Sequence, residues 1–154
     1  MSRSYFLWQG GLRGWLIAVL CTLALGCGTR TASQPQQQSR LKALAVLYGQ
    51  YMGQHRGQPP ANEAEFKKFI ESQAKTLSNN FGINDPASVF VSERDGKPYV
   101  IVYGKPSGPA ELAGAPVIAY EQEGSGGKRF VACSLGAVEE VDSARFRQLV
   151  PGAP

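Results

Sequence analysis

Residues 39–60 constrain the fold most, because they have the pattern of an amphipathic helix with a clear stop. Ser39 is a suitable N-cap, Gly57 favours a left-handed exit, and Pro59 and Pro60 prevent continuation. Apolar residues recur every three or four positions and so share one face; they are Leu41, Leu44, Ala45, Tyr48, Tyr51 and Met52. This apolar face needs a partner surface, which we expect the later apolar segments to supply.

A second helix is predicted directly after this stop. Asn62 followed by Glu65 matches a capping box, and Asn79 and Asn80 are expected to end the helix. Its buried face comprises Phe66, Phe69, Ile70 and Leu77. We expect the two helices to pack as a hairpin around an aromatic cluster of Tyr48, Tyr51, Phe66 and Phe69.

From Ser88 onward the apolar residues alternate with polar ones, which is typical of strands. Asp95-Gly96 supplies the backbone angles of a tight turn, so a hairpin is predicted between residues 89–91 and 98–103. Residues 105–114 are expected to form a loop. Further strands are predicted over residues 116–121, 128–134 and 137–141, with a short helix over residues 143–149. Helices followed by antiparallel strands predict an α+β domain.

The first 26 residues have the pattern of a signal peptide. Arg3 and Arg13 give a positive start, and residues 15–26 form an apolar run without a charge. A membrane-spanning helix needs about 20 such residues, so a retained anchor is the weaker alternative. Removal of the two arginines would lower the net charge from +4 to +2.

The apolar run ends in the sequence LALGC, residues 23–27, which resembles the lipobox of bacterial lipoproteins. Ala24 stands where that motif most often has leucine. The resemblance implies that Cys27 is acylated, becomes the new N-terminus and attaches the chain to a membrane. Residues 27–38 are otherwise polar and are expected to form a flexible linker.

The lipoprotein resemblance also implies a location in the bacterial cell envelope, facing the periplasm or the cell surface. Residues 28 and 29 are Gly28 and Thr29 rather than aspartate. By resemblance to lipoprotein sorting in Gram-negative bacteria, this favours the outer membrane slightly. The remaining residues, 39–154, have the length and apolar content of a single α+β domain. Basic residues do not gather on one predicted face, so no nucleic-acid partner is expected.

Two segments resemble bacterial prepilin-type (pseudopilin-like) proteins. Residues 41–61 are similar to the end of the long N-terminal helix, and residues 114–141 are similar to the C-terminal hairpin of a planctomycete-type family marked by His, nine residues and Asp-Gly. Leu135 stands in the place of that aspartate and Ser125 in the place of the histidine. The resemblance therefore implies a pilin-like globular head without the polar pair.

The same resemblance gives an alternative, a pseudopilin-like subunit of a type II secretion or type IV pilus-like system. Such precursors are cut after a glycine and carry a glutamate at the fifth following position. In this chain Gly14 would be the glycine and Val19 the fifth residue. We therefore expect a lipoprotein that acts as a structural or interaction module, with another envelope protein as a further partner.

Few residues are suited to catalysis, so an envelope enzyme is the weakest alternative. His55 is the one histidine and lies near the predicted end of the first helix, where a capping role is expected. Cys133 is expected to be a buried apolar residue, because no second histidine is present to serve as its base. A metal site would need more ligands at suitable spacing, so neither a metal nor another cofactor is expected.

Five acidic residues occur close to the predicted last strands: Glu121, Glu123, Glu139, Glu140 and Asp142. They raise the alternative of a calcium site. Calcium needs six or more oxygen ligands in a shaped loop, whereas carboxylates along strands do not converge. A solvated sheet edge is therefore the prediction.

Overall fold

A computed structural model describes residues 36–105 and 111–153 of the chain. The predicted signal peptide and Cys27, the predicted site of acylation, lie outside these residues. The helices are α1 (Gln36–Gln54), α2 (Glu63–Ser72), α3 (Ala74–Phe81) and α4 (Ser143–Leu149), with a 3-10 helix over Pro86–Phe90. The strands are β1 (Val100–Ile101), β2 (Glu111–Leu112), β3 (Ala115–Tyr120), β4 (Lys128–Cys133) and β5 (Val138–Asp142).

The five strands form an antiparallel sheet, which confirms the predicted α+β class. Its order is β1-β3-β4-β5, and β2 also pairs with β3. Apolar residues of α1 pack with Ile118, Phe130 and Ala132 in one core cluster, whereas those of α4 pack with Val131 and Cys133 in a second. The sheet is therefore covered on both faces.

Helix α1 begins at Gln36, three residues before the predicted start at Ser39. The predicted apolar face is buried except for Met52, which is partly exposed. Ala43 and Leu47 are also fully buried. The buried arc is wider than predicted because α1 contacts the sheet on one side and α3 and the 3-10 helix on others.

The predicted aromatic cluster is confirmed. Tyr48 and Phe66 meet edge to face with their ring centroids 5.3 Å apart, and Tyr51 meets Phe69 at the same centroid distance. Asn62 caps α2 by accepting a hydrogen bond from the Glu65 N–H at 3.0 Å. These contacts join α1 to α2 as expected.

The predicted second helix is two helices, because Gln73 leaves the helical conformation between α2 and α3. Helix α3 then continues to Phe81, past the expected end at Asn79 and Asn80. Gly82 adopts a φ of 68° and supplies the left-handed C-cap that those asparagines were expected to provide.

The predicted strand over residues 89–91 is wrong, because this segment lies mostly in the 3-10 helix. Asp85 accepts a hydrogen bond from the Ala87 N–H at 3.0 Å, and Pro86 occupies the first turn; both features favour a helix start. Val91 alone makes a bridge, to Pro98. The other expected hairpin partner, β1, pairs with β3 instead.

The predicted loop over residues 105–114 contains β2. A two-residue turn joins β2 to β3, with φ angles of 52° at Ala113 and 77° at Gly114. Strands β4 and β5 and helix α4 agree with prediction to within one residue. Among the helices of residues 36–105 and 111–153, none is both long and apolar enough to span a bilayer.

Candidate functional site

The predicted lipid-attachment residue, Cys27, lies outside the described residues. Cys133 is fully buried in β4, as predicted. It packs in the apolar cluster between the sheet and α4. A buried thiol in apolar surroundings is chemically inert, so this residue is structural in the folded domain.

The single histidine, His55, lies directly after the last residue of α1, where it was expected. With its proton assigned to Nδ1, the ring donates a hydrogen bond to the Tyr51 carbonyl oxygen at 2.8 Å. The ring also stacks on Tyr51, with centroids 3.9 Å apart and planes inclined by 6°. His55 therefore caps the last turn of the helix.

The left-handed exit from α1 begins one residue earlier than predicted. Gly57 has a φ of 81°, as its position suggested, but Arg56 has a φ of 54°. The Gly57 N–H donates to the Met52 carbonyl oxygen at 2.7 Å, which makes Arg56 the first left-handed residue of the cap. A non-glycine residue is strained there.

Tyr51 and Glu65 join the two helices beside His55. The Tyr51 hydroxyl donates a short hydrogen bond to Glu65, whose second carboxylate oxygen accepts from the Ala61 N–H at 3.0 Å. This hydrogen bond raises the pKa of Tyr51 to about 12 and lowers the pKa of Glu65. The proton therefore stays on the tyrosine, and the pair closes the interhelical turn.

The prediction of a solvated acidic edge is wrong for Glu121, whose side chain is completely buried. Its carboxylate accepts hydrogen bonds from Ser92 Oγ at 2.8 Å and from the Phe130 N–H at 2.7 Å. The Arg94 guanidinium lies 3.0 Å from the same carboxylate. Two hydrogen-bond donors and the opposite charge of Arg94 thus replace the water that burial removes.

Arg94 connects this buried carboxylate to the sheet surface. Its guanidinium pairs with Glu140, donates to the Lys128 carbonyl oxygen at 2.7 Å and lies 4.2 Å from the centroid of Phe130. Arg94 directly precedes the predicted Asp95-Gly96 turn, and no role was predicted for it. Alternation within the predicted strands does not indicate that Arg94 pairs with Glu121 and Glu140, because these residues are distant in the chain.

Asp95 fixes the neighbouring turn against the β3–β4 turn. Burial opposes its charge, but hydrogen bonds from the backbone N–H groups of Gly124, Lys97 and Glu123 hold the pKa of Asp95 below its ordinary value. Lys97 also pairs with Glu123 at the surface. Turn residues and strand ends are therefore held together by charge-assisted hydrogen bonds.

The acidic residues do not converge on a cation. Asp142 caps α4 through a 2.8 Å hydrogen bond from the Arg145 N–H, whereas Glu139 is exposed. Within residues 36–105 and 111–153, no group of three or more His, Cys, Asp or Glu side chains is placed to hold a metal ion. Ser125 and Leu135, the two positions of the missing prepilin pair, lie in the turns at opposite ends of β4.

A cleft of about 380 Å³ lies between α2 and the 3-10 helix. Its walls include Ile70, Phe90 and Val91. At its rim the Lys67 ammonium group lies 2.6 Å from the Glu63 carboxylate and 5.6 Å from the centroid of Phe90. This volume lies within the range that small ligands or single side chains of a partner occupy.

No protein-family model, no curated protein and no solved structure matches the chain.

Proposed function

We propose that this chain is a bacterial envelope lipoprotein anchored in a membrane by acyl groups on Cys27. The observation that carries the proposal is the sequence of residues 15–27, an apolar run that ends in a small residue followed by the cysteine. Two or more acyl chains on one residue make such anchoring stable. The partners are the membrane and a second envelope protein.

We further propose that the α+β domain is a structural or interaction module rather than an enzyme. The side chains best suited to catalysis are engaged in holding the fold: His55 caps α1, Cys133 is buried, and Glu121 is paired with Arg94. These contacts support the proposal because a catalytic group must present its reactive atom to a substrate. The apolar cleft beside α2 adds a concave surface suited to recognition.

The proposed location is the cell envelope, with the domain facing the periplasm or the cell surface. Gly28 and Thr29 follow the proposed acylated residue, which favours the outer membrane slightly by the sorting resemblance described above. Fractionation of inner and outer membranes tests this part. Replacement of Gly28 by Asp should move the chain towards the inner membrane if the sorting resemblance holds.

Metabolic labelling with a palmitate analogue tests the anchor. The wild-type chain should incorporate the label, and Cys27→Ser should abolish incorporation. Cys21→Ser and Cys133→Ser are matched controls that change the other two cysteines and should retain the label. Loss of label in either control, or equal labelling of Cys27→Ser, contradicts acylation at Cys27.

A pseudopilin-like subunit is the competing proposal. It is favoured by the packing of the long helix α1 against an antiparallel sheet, which agrees with the pilin-like head implied by residues 41–61 and 114–141. This proposal requires the apolar run to be retained in the mature chain. The mass of the mature N-terminus separates the two proposals.

A further inference from the structure

Three arginine side chains either belong to α4 or contact it. Arg145 and Arg147 belong to α4 and are exposed, and Arg129 of β4 reaches the same helix, with its guanidinium carbon 4.3 Å from the centroid of Phe146. Among the described residues, the ion pairs with carboxylates are made by other cations. We refer to Arg129, Arg145 and Arg147 as the α4 arginine surface.

The packing of α4 determines how these groups are presented. Phe146 is buried against the sheet, so its neighbours Arg145 and Arg147 project from the two flanks of the helix, each rotated by about 100° from Phe146. The guanidinium of Arg129 is held against the Phe146 ring, and stacking of this kind leaves the N–H edges available for an anion.

The nearby acidic groups leave this surface with an excess of positive charge. Asp142 is engaged as the cap of α4, and Glu140 is engaged by Arg94 and Lys128. Glu139 is the remaining exposed carboxylate of β5. Asp142 keeps its negative charge, because its donor is a neutral backbone N–H, so three guanidinium groups stand against two carboxylates, Glu139 and Asp142, that make no ion pair within the described residues.

Arg129 also lines a hollow of about 320 Å³ beside α4, together with Tyr120 and Gln122. Glu123 lies at the same hollow but is paired with Lys97. A guanidinium group presents paired N–H donors that match the oxygen atoms of a phosphate. The hollow therefore suits a phosphate group better than a cation.

We propose that the α4 arginine surface contacts the anionic headgroups of the phospholipid membrane to which Cys27 tethers the chain. This inference rests on the proposed anchor. The chain between Cys27 and Gln36, the start of α1, can extend over about 30 Å at most, which is about the diameter of a small domain. A tether of that length permits the domain to lie on the membrane, and attraction between arginine and anionic lipid then orients it.

The experiment measures arginine modification by phenylglyoxal in the full acylated chain on two kinds of vesicle. One vesicle is phosphatidylcholine alone, and the other also contains phosphatidylglycerol. Arg129, Arg145 and Arg147 should react more slowly on the second vesicle, by about fivefold each, and high salt should reverse the protection. Arg56, which is exposed at the end of α1, is the internal control and should react equally on both.

A pair of double variants provides the matched comparison. Arg145→Gln with Arg147→Gln should remove the protection of Arg129 on anionic vesicles, whereas Lys68→Gln with Lys75→Gln removes two exposed charges elsewhere and should leave it unchanged. Equal reactivity on both vesicles, or equal effects of the two double variants, overturns the proposal. Protection by inorganic phosphate on neutral vesicles would assign the surface to a soluble anion and also overturn it.

The same experiment separates failure of this contact from failure of the anchor. If the chain floats with neutral vesicles but its arginines react equally fast on phosphatidylglycerol vesicles, the anchor is supported and the surface contact is contradicted. A chain that does not float with neutral vesicles contradicts the anchor. In that case its co-sedimentation with phosphatidylglycerol vesicles, compared between the two double variants, still decides whether α4 binds anionic lipid.

Discussion

The guanidinium of Arg94 lies 3.0 Å from the carboxylate of Glu121, and the two residues come from segments separated by the whole of β1, β2 and β3. Glu121 is completely buried, whereas the Arg94 side chain keeps 11% of its surface exposed and extends to Glu140. This pair therefore fixes the turn that follows the 3-10 helix onto the end of β3.

Replacement of Glu121 by Ala should lower the free energy of unfolding by about 3 kcal/mol, because it leaves the Ser92 hydroxyl and the Phe130 N–H without their buried acceptor and removes one of the two carboxylates that pair with Arg94. Urea denaturation measures the loss. Glu123→Ala is the matched control, since its pair with Lys97 is exposed and its removal should change the free energy by about 0.5 kcal/mol or less. Similar losses in the two variants would show that the buried Arg94–Glu121 pair contributes no more to the free energy of unfolding than an exposed pair.

Two glycines of α1 should respond in opposite directions to alanine. A Cβ at Gly49 would lie 2.6 Å from the carbonyl oxygen of Ser134, so Gly49→Ala should destabilise the domain by about 1 to 3 kcal/mol. A Cβ at Gly53 meets nothing within 4 Å, so Gly53→Ala should stabilise it by up to about 1 kcal/mol through helix propensity. Thermal unfolding of both variants tests the close approach of α1 to the β4–β5 turn. Equal changes in melting temperature for the two variants would contradict this approach.

Arg56→Gly should stabilise the domain by about 1 kcal/mol, because it relieves the left-handed conformation of a residue that carries a Cβ. Gln58→Gly is the control in the same connection. Gln58 does not have a positive φ, so glycine there should give no gain and adds only freedom to the unfolded chain. Chemical denaturation of the pair distinguishes them, and a loss of stability in Arg56→Gly would refute the assigned cap.

Tyr51 should contribute to stability in a pH-dependent way. Because its pKa is raised in the folded state, the contribution is complete below the ordinary tyrosine pKa of about 10 and is lost as the pH rises through about 12. The difference in urea midpoint between the wild-type chain and Tyr51→Phe should therefore shrink over this range. If the difference in urea midpoint stays constant from neutral pH to pH 12, the hydrogen bond to Glu65 does not raise the pKa of the Tyr51 hydroxyl.

Elements whose ends are set by neighbouring residues could be predicted from the sequence. The Asn62 cap of α2, the stop after His55 and the final hairpin with α4 are each defined by residues a few positions apart. The predicted capping box is only half formed, because the Glu65 carboxylate accepts from the Ala61 N–H instead of the Asn62 N–H. The strand predicted over residues 89–91 failed because the helix start at Asp85 and Pro86 competes with apolar alternation. The short strand β2 was missed because Ala113-Gly114 is a less typical hairpin turn than Asn-Gly.

Long-range charge pairing could not be predicted from spacing. Glu121 follows a strand that is covered on both faces, by α1 and by α4, so alternation does not show which residues are buried. Its partner Arg94 is brought near by the path of the chain through the 3-10 helix. The contact of Arg129 with Phe146 likewise depends on how α4 folds back on the sheet.

The mass of the mature N-terminus tests the central claim most directly. The protein is purified from membranes, digested, and its N-terminal peptide identified by mass spectrometry. A peptide that begins at Cys27 and carries the mass of at least two acyl groups is the result that the lipoprotein proposal predicts. An unacylated peptide that begins at Trp15, after cleavage at Gly14, would contradict it and favour the pseudopilin-like alternative.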